Sequence, residues 1–276
     1  MTPRIGFLGA GRVGTTLALG WRRVGRDVRA AWSRSGRKIS DVECLPAPQD
    51  VLDACDVVFV TVADAAVEST ASAVTWSDRH LAVHCAGALD LDVLEAARRA
   101  GAKVASLHPL QTFADPDTTL TTLRGAAFTI EGDDESAALL STLASDLGGR
   151  SLRLPAGHRA LYHASAQYVG AFLTTLLRES AFLWRALGVS ERDALAALVP
   201  LAVGTLRSAE AVGPVGALAG PLARGDAPTV ERHLAALPEA HLDLYRALSL
   251  RALELARERG LQDDVAARLF ALLESP

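Results

Sequence analysis

Three observations predict an α/β N-terminal domain with a mostly parallel sheet, followed by an all-α C-terminal domain. Short apolar runs alternate with amphipathic helical stretches over the first half of the chain. A glycine-rich turn at residues 9–14 sits directly between an apolar run and a helical pattern. After Pro155 the alternation stops and only helical periodicity remains.

Taken in order, the expected strands are 4–9, 28–33, 56–62, 80–85 and 103–107, each short, rich in Val, Ile or Ala, and ending in Gly, Ser, Cys, Val or Leu before a turn. Helical stretches such as 13–24 and 91–100 fall between them. Residues 126–131 and 151–154 read as two further strands around a helix at 135–147. The stretch 156–187 contains no proline and repeats apolar residues at helical spacing, so it reads as one long helix. Gly188 stops it, and Ser190 with Glu191 opens the next helix, expected to run to about Glu210. Helices near 228–236, 238–259 and 263–273 complete the chain. The domains are placed at 1–154 and 155–276.

Composition limits what such a protein does. Half of the 276 residues are hydrophobic, enough for a sizeable core. The net charge of −4 argues against nucleic acid as a partner. Three cysteines without a CxxC motif argue against a disulfide framework and a zinc knuckle, and no metal site is expected. The N-terminus lacks a signal-peptide pattern and no uncharged apolar run of about 18 residues appears, so a cytoplasmic protein without a membrane span is expected.

Gly9, Gly11 and Gly14 form GxGxxG after an apolar strand and before an amphipathic helix. The first glycine permits the tight turn, the second admits a pyrophosphate, and the third allows close helix–strand packing. The helix N-terminus then presents free N–H groups to phosphate. This is a Rossmann dinucleotide site, with Gly9, Ala10, Gly11, Arg12, Val13 and Gly14 as its first contacts. An NAD site places an acid roughly 20 residues further on, at the end of the second strand. Here that end reads Trp32-Ser33-Arg34-Ser35-Gly36-Arg37-Lys38, with hydroxyls and cations and no acid. Ser33, Arg34, Ser35 and Arg37 suit a 2′-phosphate, so NADP (as NADPH) is the expected cofactor.

Ligands of open parallel sheets lie at the carboxyl ends of the strands. Thr61, Val62 and Ala63 there are expected along the nicotinamide ribose path, and Ala86 and Gly87 beneath the nicotinamide. Cys85 reads as a small buried filler. His108, at the next strand end and followed by Pro109, Leu110 and Gln111, is a candidate for proton transfer or substrate contact. His80 and His84 share one face of a strand, and nothing near them in sequence completes a site.

The segments Gly9–Gly14, His108-Pro109-Leu110-Gln111-Thr112-Phe113, Tyr162-His163-Ala164 and Gly220-Pro221-Leu222-Ala223-Arg224-Gly225-Asp226 occur in that order. Together they resemble bacterial proteins that pair a Rossmann domain with the domain of unknown function 2520. That group is similar in architecture to the 6-phosphogluconate-dehydrogenase-like NADP oxidoreductases, including ketopantoate reductase and pyrroline-5-carboxylate reductase. The resemblance implies an NADP-binding domain and a helical domain that forms a homodimer, with ketopantoate among the conceivable substrates. Two departures matter. Established ketopantoate reductases use a lysine acid in the second domain, and this chain has no lysine after Lys103. An asparagine that often follows the Tyr-His pair is replaced by Gly170.

The expected activity is hydride transfer between NADPH and a small keto acid or imine, the alternative being a non-catalytic NADP-binding sensor or scaffold. His108, His163 and Tyr162 are the candidate catalytic groups. Gln111, Gln167 and Arg224 are the candidate substrate contacts. Cofactor binding without turnover on any keto acid or imine would favour the alternative.

Overall fold

The protein is described here as a computed structural model covering residues 2–275. The chain forms two compact units, one ending at Leu173 and the other beginning at Thr174.

In the first unit, β1 (Ile5–Leu8) leads through a glycine turn into α1 (Arg12–Arg23). There follow β2 (Val28–Trp32), β3 (Glu43–Cys44), α2 (Pro48–Ala54) and β4 (Val57–Val60), then α3 (Val67–Ser72) and β5 (Leu81–His84). Next come α4 (Glu95–Arg99), β6 (Lys103–Pro109), α5 (Pro116–Thr122), β7 (Ala127–Glu131), α6 (Asp134–Asp146), β8 (Arg150–Arg153) and α7 (Arg159–Val169). The eight strands form one sheet in the order β3-β2-β1-β4-β5-β6-β7-β8. Every pairing is parallel except β6 with β7. The first six strands therefore have the doubly wound dinucleotide-binding order.

Helices cover both faces of this sheet, which is why β1, β4 and β5 are buried along their whole length and read as continuous apolar runs. Phe7, Trp21 and Phe59 pack ring against ring on one face, with centroids 4.8–6.1 Å apart. The Trp21 indole N–H donates to the Leu143 carbonyl at 2.8 Å, tying α1 to α6. Leu8, Val58, Val60, Leu52 and Leu94 fill the other face.

The second unit is built of helices. α8 (Ala171–Arg185) is followed by α9 (Glu191–Ala217), α10 (Pro221–Arg224), α11 (Ala227–Ala236), α12 (Glu239–Glu258) and α13 (Asp263–Glu274). Ser190 caps α9, its hydroxyl accepting from the Asp193 N–H at 3.2 Å. Ala227, Val230, Leu253, Ala266, Leu269 and Leu273 form the core of this unit.

Several elements differ from their sequence-based bounds. β3 and α2 fill what reads as a loop, because β3 contributes only two residues and α2 fewer than two turns. β6 continues through His108 and Pro109, whose partners across the antiparallel pair are Thr129 and Phe128. The helix expected over 156–187 is broken at Gly170 (φ −97°, ψ −93°) into α7 and α8. α9 continues past Glu210 through a kink at Gly213 (φ 74°). The sequence changes character at 154/155, whereas the compact units divide at 173/174. The contacts of α7 explain the offset, for its first residue, Arg159, is buried among residues of β6 and β7.

α9 also bears on the expectation of no membrane span. It is long and apolar enough to cross a membrane by length and composition, with an 18-residue window of mean hydropathy 1.4, none of it buried. Such a window tolerates one or two charged residues, which a search for an uncharged run passes over.

Candidate active site

The turn after β1 has the shape that its glycines permit. Gly9 has φ +121°, and a Cβ there would stand 2.7 Å from the Thr61 backbone. A Cβ at Gly14 would meet the Thr61 hydroxyl and, at 2.5 Å, the Gly9 carbonyl. The Thr61 Oγ1–H donates to that same carbonyl at 2.7 Å and so pins β4 to the turn. Gly11 is different. A Cβ there would meet only the Thr61 carbonyl, at an ordinary 3.6 Å. The protein itself does not demand glycine at position 11, and the room left there opens on a cavity.

That cavity measures about 280 Å³. It is lined by Gly9, Ala10 and Gly11, by Trp32, Ser33, Arg34, Ser35 and Arg37, and by Thr61, Val62 and Ala63. The structure thus brings together ten of the fifteen expected cofactor residues. No carboxylate lines the cavity. Gly36 (φ +70°) turns the basic loop, and the Ser33 and Ser35 hydroxyls lie 3.0 Å apart. Of the others, Arg12 is exposed at the first position of α1, Val13 packs against the core, and Gly14 makes the helix–strand contact. Ala86 and Gly87 stand at the end of β5, away from this cavity.

Gly87 marks a second place. A Cβ there would lie 2.9 Å from His108 Nε2 and 3.1 Å from His163 Nε2, so the two imidazoles converge on one point of backbone. Their rings meet edge to face, centroids 5.9 Å apart. Tyr162, the other expected catalytic group, has its hydroxyl 2.8 Å from His108 Nδ1. The three candidates are therefore contiguous. Burial, then the Arg159 charge, then His163 push the His108 pKa down from 6.5 to about 4. Burial raises that of Tyr162. Both are neutral at physiological pH. Cys85 is buried as well, its thiol pushed up to about 12, which suits a filler and not a nucleophile.

A cavity of about 300 Å³ opens beside the histidines, lined by His108, Leu110, Gln111, Thr112, His163, Ala166, Gln167, Val169, Gly170 and Ala171. Gln167 lines it with no side-chain hydrogen bond among the described residues. Gln111 also lines it, but its amide is engaged locally. Its N–H donates to the Thr122 carbonyl at 2.9 Å, and its oxygen accepts from the Thr112 N–H at 2.8 Å.

Arg224 belongs to the second unit. There it lines a cavity of about 490 Å³ with Leu218, Gly220, Arg259 and Gln262, among others. Its segment is organised by helix ends. Gly220 (φ +94°) precedes Pro221 at the start of α10, Gly225 (φ +72°) ends it, and Asp226 caps α11 by accepting from the Thr229 N–H at 3.1 Å.

Sequence reasoning missed the group that holds the histidine site. Arg159 is fully buried. Its Nε–H donates to Glu131 at 2.9 Å, and a terminal nitrogen donates to the Ala86 and Gly87 carbonyls at 3.0 and 3.4 Å. The other terminal nitrogen donates to the Ser106 hydroxyl. A faint signal existed, since a cation in the first turn of a helix opposes the helix dipole and needs a reason to be there. His84, which the sequence places on a strand face with nothing near it to complete a site, lies close to this group. It is buried with neither ring nitrogen partnered, and burial, then Arg159 and His108, push its pKa down to about 3.

This fold and these two cavities define the class: a doubly wound dinucleotide-binding domain with polar groups at the carboxyl ends of its strands and a helical extension. Residues 4–86 match the family described as NADP oxidoreductase, coenzyme F420-dependent, and residues 126–252 match the domain of unknown function DUF2520. The two matched regions follow one another along the chain. Its fold is similar to that of a candidate NADP oxidoreductase from Bacteroides fragilis, at 23% identity over 91% of this chain and 98% of that one, with a TM-score of 0.74. It is also similar to a reductive aminase from Aspergillus terreus solved with NADPH and ethyl-5-oxohexanoate (21% identity, 99% and 93% covered, TM-score 0.64). A third likeness is to a Plasmodium falciparum pyrroline carboxylate reductase with NADP bound (13% identity, 97% and 98% covered, TM-score 0.66). A search of curated proteins gives no match.

Proposed function

We propose that this protein is an NADPH-dependent reductase of a small keto acid or imine, with a ketopantoate-like acid as the first substrate to try. The observation that carries the reading is the convergence of His108 and His163 over Gly87. In the sheet order, β5 and β6 follow directly on the strands whose ends line the glycine cavity, so all these groups lie along one carboxyl edge.

The residues present fit the cofactor. The open position at Gly11 and the α1 N-terminus suit a pyrophosphate, and Arg34, with Ser33, Ser35 and Arg37, suits a 2′-phosphate. When bound, NADPH supplies the hydride. The protein must orient the acceptor and supply a proton or hydrogen bond to the oxygen or nitrogen that gains charge. A neutral His108 does this through Nε2–H when the Tyr162 O–H donates to Nδ1, since that bond fixes the tautomer. His163 offers a second ring nitrogen at the same point. Gln167 orients the substrate, and Gln111 shapes the cavity wall.

We further propose a cytoplasmic homodimer formed through the helical domain. Leu201, Val212 and Leu206 of α9 are 68%, 62% and 50% exposed, an apolar surface suited to a second copy of the chain. The free thiols Cys44, Cys55 and Cys85 suit a reducing compartment.

The test is NADPH consumption, followed by absorbance, against a panel of keto acids, ketones with amines, and cyclic imines. Turnover that is saturable in one class supports the reading. NADPH binding without turnover on any member favours a non-catalytic sensor.

A further inference from the structure

The guanidinium of Arg159 touches both the loop after β5 and the interior of the sheet beside the histidines. It has no exposed surface, and each of its nitrogens is committed. Glu131, nearly buried, holds it from β7, and the Ser106 hydroxyl holds it from β6. Its remaining bonds go to the carbonyls of Ala86 and Gly87, the stretch of backbone on which both imidazoles converge. A buried ion pair is expensive to desolvate and by itself a weak device for stability. Here the pair secures two backbone carbonyls at one defined place.

We propose that Arg159 is a positioning residue for the reaction: its planar fork fixes the Ala86–Gly87 backbone against Glu131 and Ser106, so that His108 and His163 meet over Gly87 in a single geometry. Lysine cannot do the same, because an ammonium carries the charge without the fork. A second effect follows from the same placement. The groups facing His108 are Arg159, Tyr162 and His163 from α7 and His84 from β5, while Glu131 on β7 is bound to Arg159. Burial, and after it the Arg159 charge, oppose protonation of both His84 and His108 and keep them neutral.

The role in hydride transfer rests on the reductase reading, whereas the effect on His108 does not, and the experiment separates them. The full-length protein with 15N-labelled histidine is titrated by NMR, the His108 signal being assigned with His108→Gln. Wild type is compared with the paired variant Arg159→Gln/Glu131→Gln, which leaves no lone buried charge, and with Arg159→Lys. The paired variant is expected to move the His108 midpoint from about 4 towards 6.5. It is also expected to slow hydride transfer by about a hundredfold, the usual penalty of small misplacements, while NADPH affinity stays at the wild-type level. Arg159→Lys should keep the wild-type midpoint but remain slow, and it carries the test should the paired variant not fold. A folded paired variant with an unchanged His108 midpoint, or an Arg159→Lys protein that transfers hydride at the wild-type rate, overturns the proposal. If the wild type reduces no compound in the panel, the proposed reaction fails, and the His108 midpoint alone decides the role of Arg159.

Discussion

At the scale of single residues, His108 is unusual because its surroundings hold it as a neutral ring. An imidazole at its ordinary pKa of 6.5 is half protonated at pH 6.5 and still partly charged at physiological pH, whereas burial and the Arg159 charge bring His108 to about 4. We therefore expect kcat/KM to stay flat from neutral pH down to about pH 5 and to fall only as His108 gains its proton. A fall centred near 6.5 would mean that His108 is not the titrating group. Tyr162→Phe removes the hydroxyl that selects the tautomer. The expected loss in hydride-transfer rate approaches the roughly 10²–10⁴-fold worth of a placed acid, with little change in NADPH affinity. The types and order of these groups were legible in the sequence, because a histidine at a strand end and a Tyr-His pair on a helix are visible as strings. Their support was not. Arg159 meets Glu131 across 28 positions and the Ala86 carbonyl across 73, and no local pattern carries such pairings.

At the scale of elements, the turn from β1 into α1 shows how a short motif fixes geometry. Gly14 is closed to any side chain by the Thr61 hydroxyl and the Gly9 carbonyl. Gly14→Ala should lower stability by roughly 1–3 kcal/mol, as overpacking does, and should widen the glycine cavity enough to weaken NADPH binding. Thermal unfolding and a cofactor titration of the same variant check both. This element was readable because its three glycines fall within six residues, although the Thr61 contacts that enforce two of them do not. The break between α7 and α8 was not, since a glycine inside an apolar helical pattern is usually tolerated. Only the backbone at Gly170 shows that the chain turns there. β3 and α2 escaped notice for lack of length, each being too short for a period to register.

At the scale of the whole molecule, two histidines held neutral, the buried His84 and the half-buried His108, couple folding to pH. In the unfolded chain both take up protons near 6.5, whereas in the folded protein His84 resists to about 3 and His108 to about 4. The unfolded state thus binds more protons below 6.5, so stability falls as pH drops from 6.5 through 4 and levels off below 3. His84 has no hydrogen-bond partner to lose. His84→Leu should therefore fold and show a shallower decline of Tm over that window, measured by thermal scans from pH 7 to pH 4. An unchanged decline would place the acid sensitivity elsewhere. The layered α/β plan and the helical extension followed from the alternation of short strands with helices and its end at Pro155. The exposed apolar length of α9 is a property of packing, and it emerged only with the structure.

The glycine cavity is expected to bind NADPH in preference to NADH. Trp32 lines that cavity, so its fluorescence reports binding there. The most direct measurement is a titration of the protein with NADPH and with NADH, followed by tryptophan fluorescence and thermal shift, for wild type and Arg34→Ala. We predict micromolar binding of NADPH, much weaker binding of NADH, and a loss of about ten- to hundredfold in NADPH affinity in Arg34→Ala, as expected for a lost charge-assisted hydrogen bond. Equal binding of both cofactors, or binding of neither, would overturn the assignment of this cavity to NADPH.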